Sequence, residues 1–272
     1  MFSPWYAWAR RRGPADPLQH CAFNISLYGG RQRRWTMTER GAGAVRRDAQ
    51  TLSIGPSAAE WNGTSLTLHL AERGAPLPYR VRGVVRIHPL ALGDRGFILD
   101  SAGRHRWRPI APRARIEVAL DSPTLRWSGT GYLDTNDGDA PLESDFVDWD
   151  WCRAAAGDAT AILYNARRRD GTQQSLALRA DRHGRLEDIA VPPPARLPRT
   201  LWRLERPTRA DAGTTPRVTE TLLDAPFYAR SVVATGLLGQ KVVAVHESLD
   251  LDRFAALPIQ LMLPFRAPRS FR

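Results

Sequence analysis

The sequence predicts a mainly β protein assembled from antiparallel barrels or sandwiches, and three observations carry that expectation. Apolar and polar residues alternate over many short segments, turn dipeptides separate those segments at regular intervals, and helical periodicity is scarce. A chain that is 43% hydrophobic with nine tryptophans is not a disordered one, and its 272 residues suffice for one large or two ordinary domains. The tryptophans recur along the whole length and read first as core and hairpin aromatics. Enough remain to line an apolar cavity.

The chain opens on Phe2, Trp5, Tyr6 and Trp8, which read as buried strand or hairpin residues with no polar leader ahead of them. Either the first element docks unusually early, or the first domain is N-terminally truncated and its upstream strands are missing. Strands are expected at 21–28, 35–38, 66–71, 79–88, 114–120, 125–133, 159–167 and 175–180. Turn chemistry punctuates them at Gly29-Gly30, Asn62-Gly63, Ala102-Gly103, Asp137-Gly138, Asp170-Gly171 and His183-Gly184. Such spacing argues against a wound parallel sheet. Helices are expected at 43–51 and 228–238. Proline clusters at 108–112 and 191–198 are natural joints. The first is placed as the boundary near Pro112 between domains 1–112 and 113–272, the second as a loop inside the later domain.

A formal net charge of +11 raises nucleic acid or an anionic membrane surface as partners. Arginine supplies nearly all of it, since Lys241 is the only lysine, and that bias fits a GC-rich genome as well as selection for phosphate-binding forks. No helix-turn-helix, zinc-finger spacing or RNA-binding aromatic signature is present, so nucleic acid is not expected and anionic lipid is the better use of the charge. Cys21 and Cys152 form no CxxC pattern and the histidines no HxxxH or HxH grouping, so neither a disulfide framework nor a metal site is expected. No run reaches the roughly 18 apolar residues of a spanning helix. The opening residues place aromatics before basic residues, the reverse of a secretory signal. A cytoplasmic protein, soluble or peripheral, is expected.

Two segments carry chemistry. In RHRWRP at 104–109, strand alternation places His105 and Trp107 on one face and Arg104, Arg106 and Arg108 on the other. In LRWSGTGYLDTNDG at 125–138, Tyr132 and Asp134 share a face with Ser128 and Thr130. A carboxylic acid, an imidazole and two electron-rich rings meeting in one pocket suit chemistry in which an apolar substrate becomes a cation. Taken singly, the residues have plainer explanations: a core tryptophan beside a hydrogen-bonded histidine, and a turn aspartate ahead of Asn136-Asp137-Gly138. Asp145, Asp148 and Asp150 around Trp149 and Trp151 read either as a second acid site or, more simply, as a solvated loop entering a strand. The GLLG at 236–239 is too short for a nucleotide loop, and Ser57, Ser101 and Ser128 lack a GxSxG elbow.

Longer words tip the balance. FSPWYAWARRRG at the start, WTMTERG at 35–41, AGRHRWRPIAPRARIEVAL, LRWSGTGYLDTN, DWDWCRA, LPRTLWR, FYARSV and VHESLDLDRFAALPIQLMLPFR occur in order. Over essentially its full length the chain resembles the carotenoid 1,2-hydratases (hydroxyneurosporene synthases) of phototrophic bacteria. The resemblance implies a pair of lipocalin-like β-barrel domains, addition of water to the terminal isoprenoid double bond of acyclic carotenoids such as neurosporene or lycopene, and no cofactor or metal. It carries the family's HxW and YxD functional positions onto His105, Trp107, Tyr132 and Asp134. It also implies work at the inner photosynthetic membrane, with an acyclic carotenoid and water as the molecules bound.

In that chemistry carbon is protonated before water attacks. Asp134 is the expected acid, kept neutral by burial against a reference pKa of about 3.9. Trp107 and Tyr132 are expected to stabilise the cation, and His105 to position Asp134 or water, or to take the proton of the captured water. The dyads are expected to meet at the junction of the two domains, facing a common apolar cavity. The segment 257–272, apolar with Arg266, Arg269 and Arg272, suits an interfacial contact or a packed tail. A non-catalytic lipid or carotenoid carrier on the same barrels is the alternative, and a buried acid at position 134 is what separates the two.

Overall fold

The structure, a computed structural model, describes residues 3–270. In chain order the strands are β1 (Asn24–Leu27), β2 (Arg34–Met37), β3 (Val45–Arg47), β4 (Thr51–Ile54), β5 (Ser57–Trp61), β6 (Leu66–Arg73), β7 (Arg80–Pro89), β8 (Phe97–Ile98), β9 (His105–Ser122) and β10 (Thr124–Gly138). They continue as β11 (Phe146–Ala156), β12 (Ala159–Arg168), β13 (Gln173–Ala180), β14 (Leu186–Asp188), β15 (Pro194–Leu197), β16 (Arg206–Arg209), β17 (Arg217–Asp224), β18 (Tyr228–Leu237) and β19 (Gln240–Asp250). Short helices α1 (Pro4–Arg10), α2 (Leu142–Asp145), α3 (Leu251–Ala255) and α4 (Leu257–Met262) complete the set. The mainly β expectation holds.

Two compact units form, and neither is continuous in sequence. The first takes the chain up to Pro89, Ala114–Gly131, and Leu257 onward; the second takes Leu90–Arg113 and Tyr132–Ala256. The chain passes between the units four times, once between Arg113 and Ala114, beside the boundary expected near Pro112. The proline cluster at 108–112 lies inside the 18-residue strand β9. Its prolines fall between the stretch of β9 that pairs with β8 and the stretch that pairs with β7, where a missing N–H removes no ladder bond to either.

In the first unit β3 to β7 run as an antiparallel meander that continues into β9. Leu70, Val81, Val118 and Leu120 form its buried core. A charged group is buried nearby: Arg40 Nη2 donates to Glu72 Oε2 at 2.8 Å, and Ser57 Oγ donates to Glu72 Oε1 at 2.7 Å. The second unit is a seven-stranded antiparallel sheet in the order β14-β13-β12-β11-β19-β18-β17. Small side chains fill one face, with Cys152, Ala154, Ala156, Ala161, Leu163, Ala177 and Ala244 in its core.

Closed barrels are not formed. The edges of the second sheet are the three-residue β14 and the eight-residue β17, which pair with no further strand among the described residues. Edges this unequal cannot supply the matched ladder that closure requires.

Three local expectations are also corrected. The segment 228–238 is strand β18, because its burial alternates residue by residue and Val232 and Val233 favour extended backbone. The segment 43–51 holds a short 3-10 turn at Ala42–Ala44 and then β3, so no α-helix forms there. Trp5, Tyr6 and Trp8 lie on helix α1, not on a strand: Ser3 Oγ accepts the Tyr6 N–H at 2.9 Å and Pro4 occupies the first turn. Phe2 and Arg272 lie outside the described residues. The GLLG segment is the β18–β19 turn, with Leu238 and Gly239 both at positive φ (56° and 72°), as a type I′ hairpin demands.

Candidate active site

Trp107 lies on β9 and is 1% exposed, its ring between Phe97 (centroids 5.4 Å apart) and Tyr164 of β12 (5.2 Å). Its Nε1 donates to Asp134 Oδ2 at 2.8 Å. The Tyr132 hydroxyl donates to the same oxygen at 3.1 Å. Tyr132 and Asp134 leave the same side of β10 by strand alternation and are half-buried. With Oδ2 taken by two donors, the acidic proton of a neutral Asp134 belongs on Oδ1. Tyr132 in turn packs on Trp151 of β11 at 5.2 Å, and Trp149 stacks on Tyr164 at 5.9 Å. Trp149 and Trp151 alternate with Asp150 and Cys152 along β11, so the aromatic wall and the alanine-rich core occupy opposite faces of one sheet.

Burial drives the Asp134 pKa upward, and the Trp107 and Tyr132 hydrogen bonds pull the other way without cancelling it. The nearby Glu247 adds to the upward push. Glu247 stands across the sheet from Trp151 on one side and from Arg230 on the other, and it is ion-paired with Arg230. Burial also raises the Tyr132 and Tyr164 phenols above their usual range. Arg153 places its guanidinium carbon 5.7 Å from the Tyr132 ring centre. The site thus holds a carboxyl biased toward its protonated form among rings biased to stay neutral.

His105 is 2% exposed, on the same side of β9 as Trp107. Its hydrogen bonds go elsewhere than Asp134. Nε2 is 2.7 Å from Asp145 Oδ2, the backbone N–H donates to Asp100 Oδ1 at 2.7 Å, and the ring meets Phe146 edge-on at 5.0 Å. Trp107, not His105, is the dyad member that touches the acid. All four residues belong to the second compact unit, Tyr132 directly after one of the exchanges between units.

The acidic cluster divides. Asp145 holds His105 and Arg104, Asp148 pairs with Arg167, and Asp150 is buried with the Ser248 hydroxyl at 2.5 Å. The solvated-loop reading of this cluster is corrected, since Asp148 and Asp150 are strand residues of β11. Arg106 pairs with Asp137 and Asp139 on the side of β9 away from Trp107. Tyr164 and Glu247 were not anticipated. No short motif surrounds them, and only the cross-strand register brings them to Asp134.

The family model for the carotenoid hydratase CrtC matches residues 1–272. The acyclic carotenoid 1,2-hydratase of Thiocapsa roseopersicina is 55% identical over 99% of this chain and 67% of its own length. That of Rubrivivax gelatinosus is 50% identical with the same coverage, and that of Cereibacter sphaeroides is 45% identical over 99% of this chain and 95% of its own. In fold, the chain is similar to the crystal structure of a Nitrosomonas europaea protein named for AttH, with a TM-score of 0.50 and 13% identity over 76% of this chain and 71% of that one. A family match across residues 1–272, with relatives 45–55% identical over 99% of this chain, places the chain in the carotenoid hydratase CrtC family.

Proposed function

We propose that the protein is an acyclic carotenoid 1,2-hydratase, and that Asp134 is its acid. The observation that carries the acid assignment is one carboxyl oxygen held by Trp107 and Tyr132 in surroundings that raise its pKa. Asp134 gives its proton to the less substituted carbon of the terminal C=C bond, whose π electrons form the new C–H bond. The tertiary cation left behind faces the Asp134 carboxylate and the Trp107 and Tyr132 rings, where ion pairing and cation–π attraction stabilise it. Water adds through an oxygen lone pair, and the resulting oxonium returns a proton to Asp134. The product is a tertiary 1-hydroxy carotenoid and the acid is regenerated. His105, committed to Asp145, acts as a positioning residue that fixes the β9 segment carrying Trp107.

Incubation with lycopene or neurosporene in D₂O tests this. The expected product is heavier by one D₂O, with one deuterium bound to carbon. Recovery of unmodified carotenoid bound to protein would support the carrier instead, yet a carrier has no use for a neutral acid among aromatic rings. The two compact units are read as two lipocalin-like domains, a reading supported by the fold shared with the AttH-named structure. Among the described residues no helix is long and apolar enough to cross a membrane. An apolar polyene and a net charge of +11 support peripheral contact with an anionic membrane, the inner photosynthetic membrane of the cell.

A further inference from the structure

Helix α4 and the turn that follows it, Leu263–Phe265, are inside out. A helix packed on a globular core turns its apolar stripe inward and its polar residues outward. Here Leu257, Leu261, Met262 and Phe265 are 57%, 54%, 52% and 73% exposed, while the polar Gln260 is 2% exposed. Leu257, Leu261 and Phe265 follow at intervals of four, so they share one outward stripe. The inversion is local, because Leu251 and Phe254 of α3, just upstream, are buried.

What lies beside the stripe identifies its partner. Trp5 Nε1 donates to Ala267 O at 2.8 Å, which holds α1 against the chain just after the turn. Arg11 and Arg12, exposed beyond the end of α1, line a cleft together with Trp8. Arg266, directly after Phe265, is also exposed and lies over the Trp35 ring at 5.2 Å. Guanidinium groups recognise phosphate oxygens by paired N–H donors, and indole favours the boundary between headgroups and acyl chains. An apolar stripe bordered by such a group matches the depth profile of an anionic bilayer, with alkyl side chains below the phosphates and arginines at their level. A second protein copy would bring the same arginines into opposition.

We propose that α4, the turn after it and the Trp8–Arg11–Arg12 cleft form the face by which this protein docks on an anionic lipid bilayer. The proposal rests on the reading of the substrate as a polyene dissolved in that bilayer.

Flotation of the full chain tests it, with vesicles of phosphatidylcholine alone or mixed with phosphatidylglycerol. Binding to the mixed vesicles is expected to exceed binding to phosphatidylcholine by about tenfold or more and to weaken in high salt. The double substitution Leu261→Asp, Phe265→Asp is expected to lower vesicle binding about tenfold, since it places two carboxylates among the acyl chains. Its turnover of detergent-dispersed lycopene should match that of the unmodified protein. Equal flotation of variant and parent overturns the proposal, as does absence of vesicle binding with a dimer that the substitutions dissociate. Absence of hydration by the unmodified protein in detergent counts against the hydratase reading alone, and absence of flotation by the unmodified protein with its hydration intact counts against the docking face alone.

Discussion

Asn differs from Asp at position 134 by one group, so Asp134→Asn keeps an oxygen to accept from Trp107 and Tyr132 and removes the transferable proton. Hydration of lycopene by the purified variant should fall by about 100-fold or more, the scale of a positioned acid. Turnover within a few-fold of the parent would move the acid elsewhere. Glu247 acts on the same proton from β19. The groups acting with Asp134 are Trp107 from β9, Tyr132 from β10, Tyr164 from β12, and Glu247 from β19 with its partner Arg230 on β18, while Arg153 and Trp151 of β11 face the Tyr132 ring. Glu247→Gln removes a negative charge that pushes the Asp134 pKa up, and its loss favours carboxylate at Asp134. Because the protonated form works, activity declines as pH rises through the Asp134 pKa. The declining limb of the pH–rate profile should therefore move to lower pH in Glu247→Gln, and an unmoved limb would show that the coupling carries no weight.

At the scale of elements, His105 and Trp107 could be paired from the sequence because strand alternation has a period of two, and the same holds for Tyr132 and Asp134. The partners from β11, β12 and β19 were out of reach, since they arrive by long-range register that no local pattern encodes. The 228–238 segment shows the converse failure. Its apolar residues suit a helix by composition, and the buried alternation becomes visible only once β17 and β19 flank it. Gly138, at the end of β10, marks where β9 and β10 must run close. A Cβ there would lie 2.8 Å from His105 Nδ1 and 3.0 Å from Arg104 O, and Asp139 N–H donates to that same carbonyl at 2.8 Å. His105 is anchored by Asp145 and cannot yield cheaply. Gly138→Ala should cost about 2 kcal/mol, as overpacking of an ordered site does, and lower turnover alongside it. Urea denaturation reads the first and the lycopene assay the second. An unchanged midpoint would mean that the hairpin gives way without strain.

For the molecule as a whole, stability in mild acid turns on a buried group that the chemistry does not use. His246 of β19 is 1% exposed; its Nε2 donates to Pro207 O at 2.9 Å and its Nδ1 is buried without a partner. Protonation would add a charge and an N–H with no acceptor, and burial pushes the imidazole pKa down to about 4 from an ordinary 6.5. The unfolded chain therefore takes up this proton at higher pH than the folded one, so stability is fully present above pH 6.5 and is lost as pH falls toward 4. A displacement of that size corresponds to about 3 kcal/mol. Asp150, with Oδ1 4.0 Å from His246 Nε2, works in the opposite sense. Its pKa is raised by burial, so the folded state holds its proton more tightly and gains relative stability as pH falls. The unmodified protein's acid limb should accordingly be shallower than His246 alone would give. His246→Gln keeps a donor for Pro207 O, cannot be protonated, and leaves Asp150 in place. Its stability at neutral pH should be somewhat lower than the parent's, and the gap should close or reverse between pH 6.5 and 4. Denaturant midpoints taken across that range would refute the assignment if the two curves ran parallel.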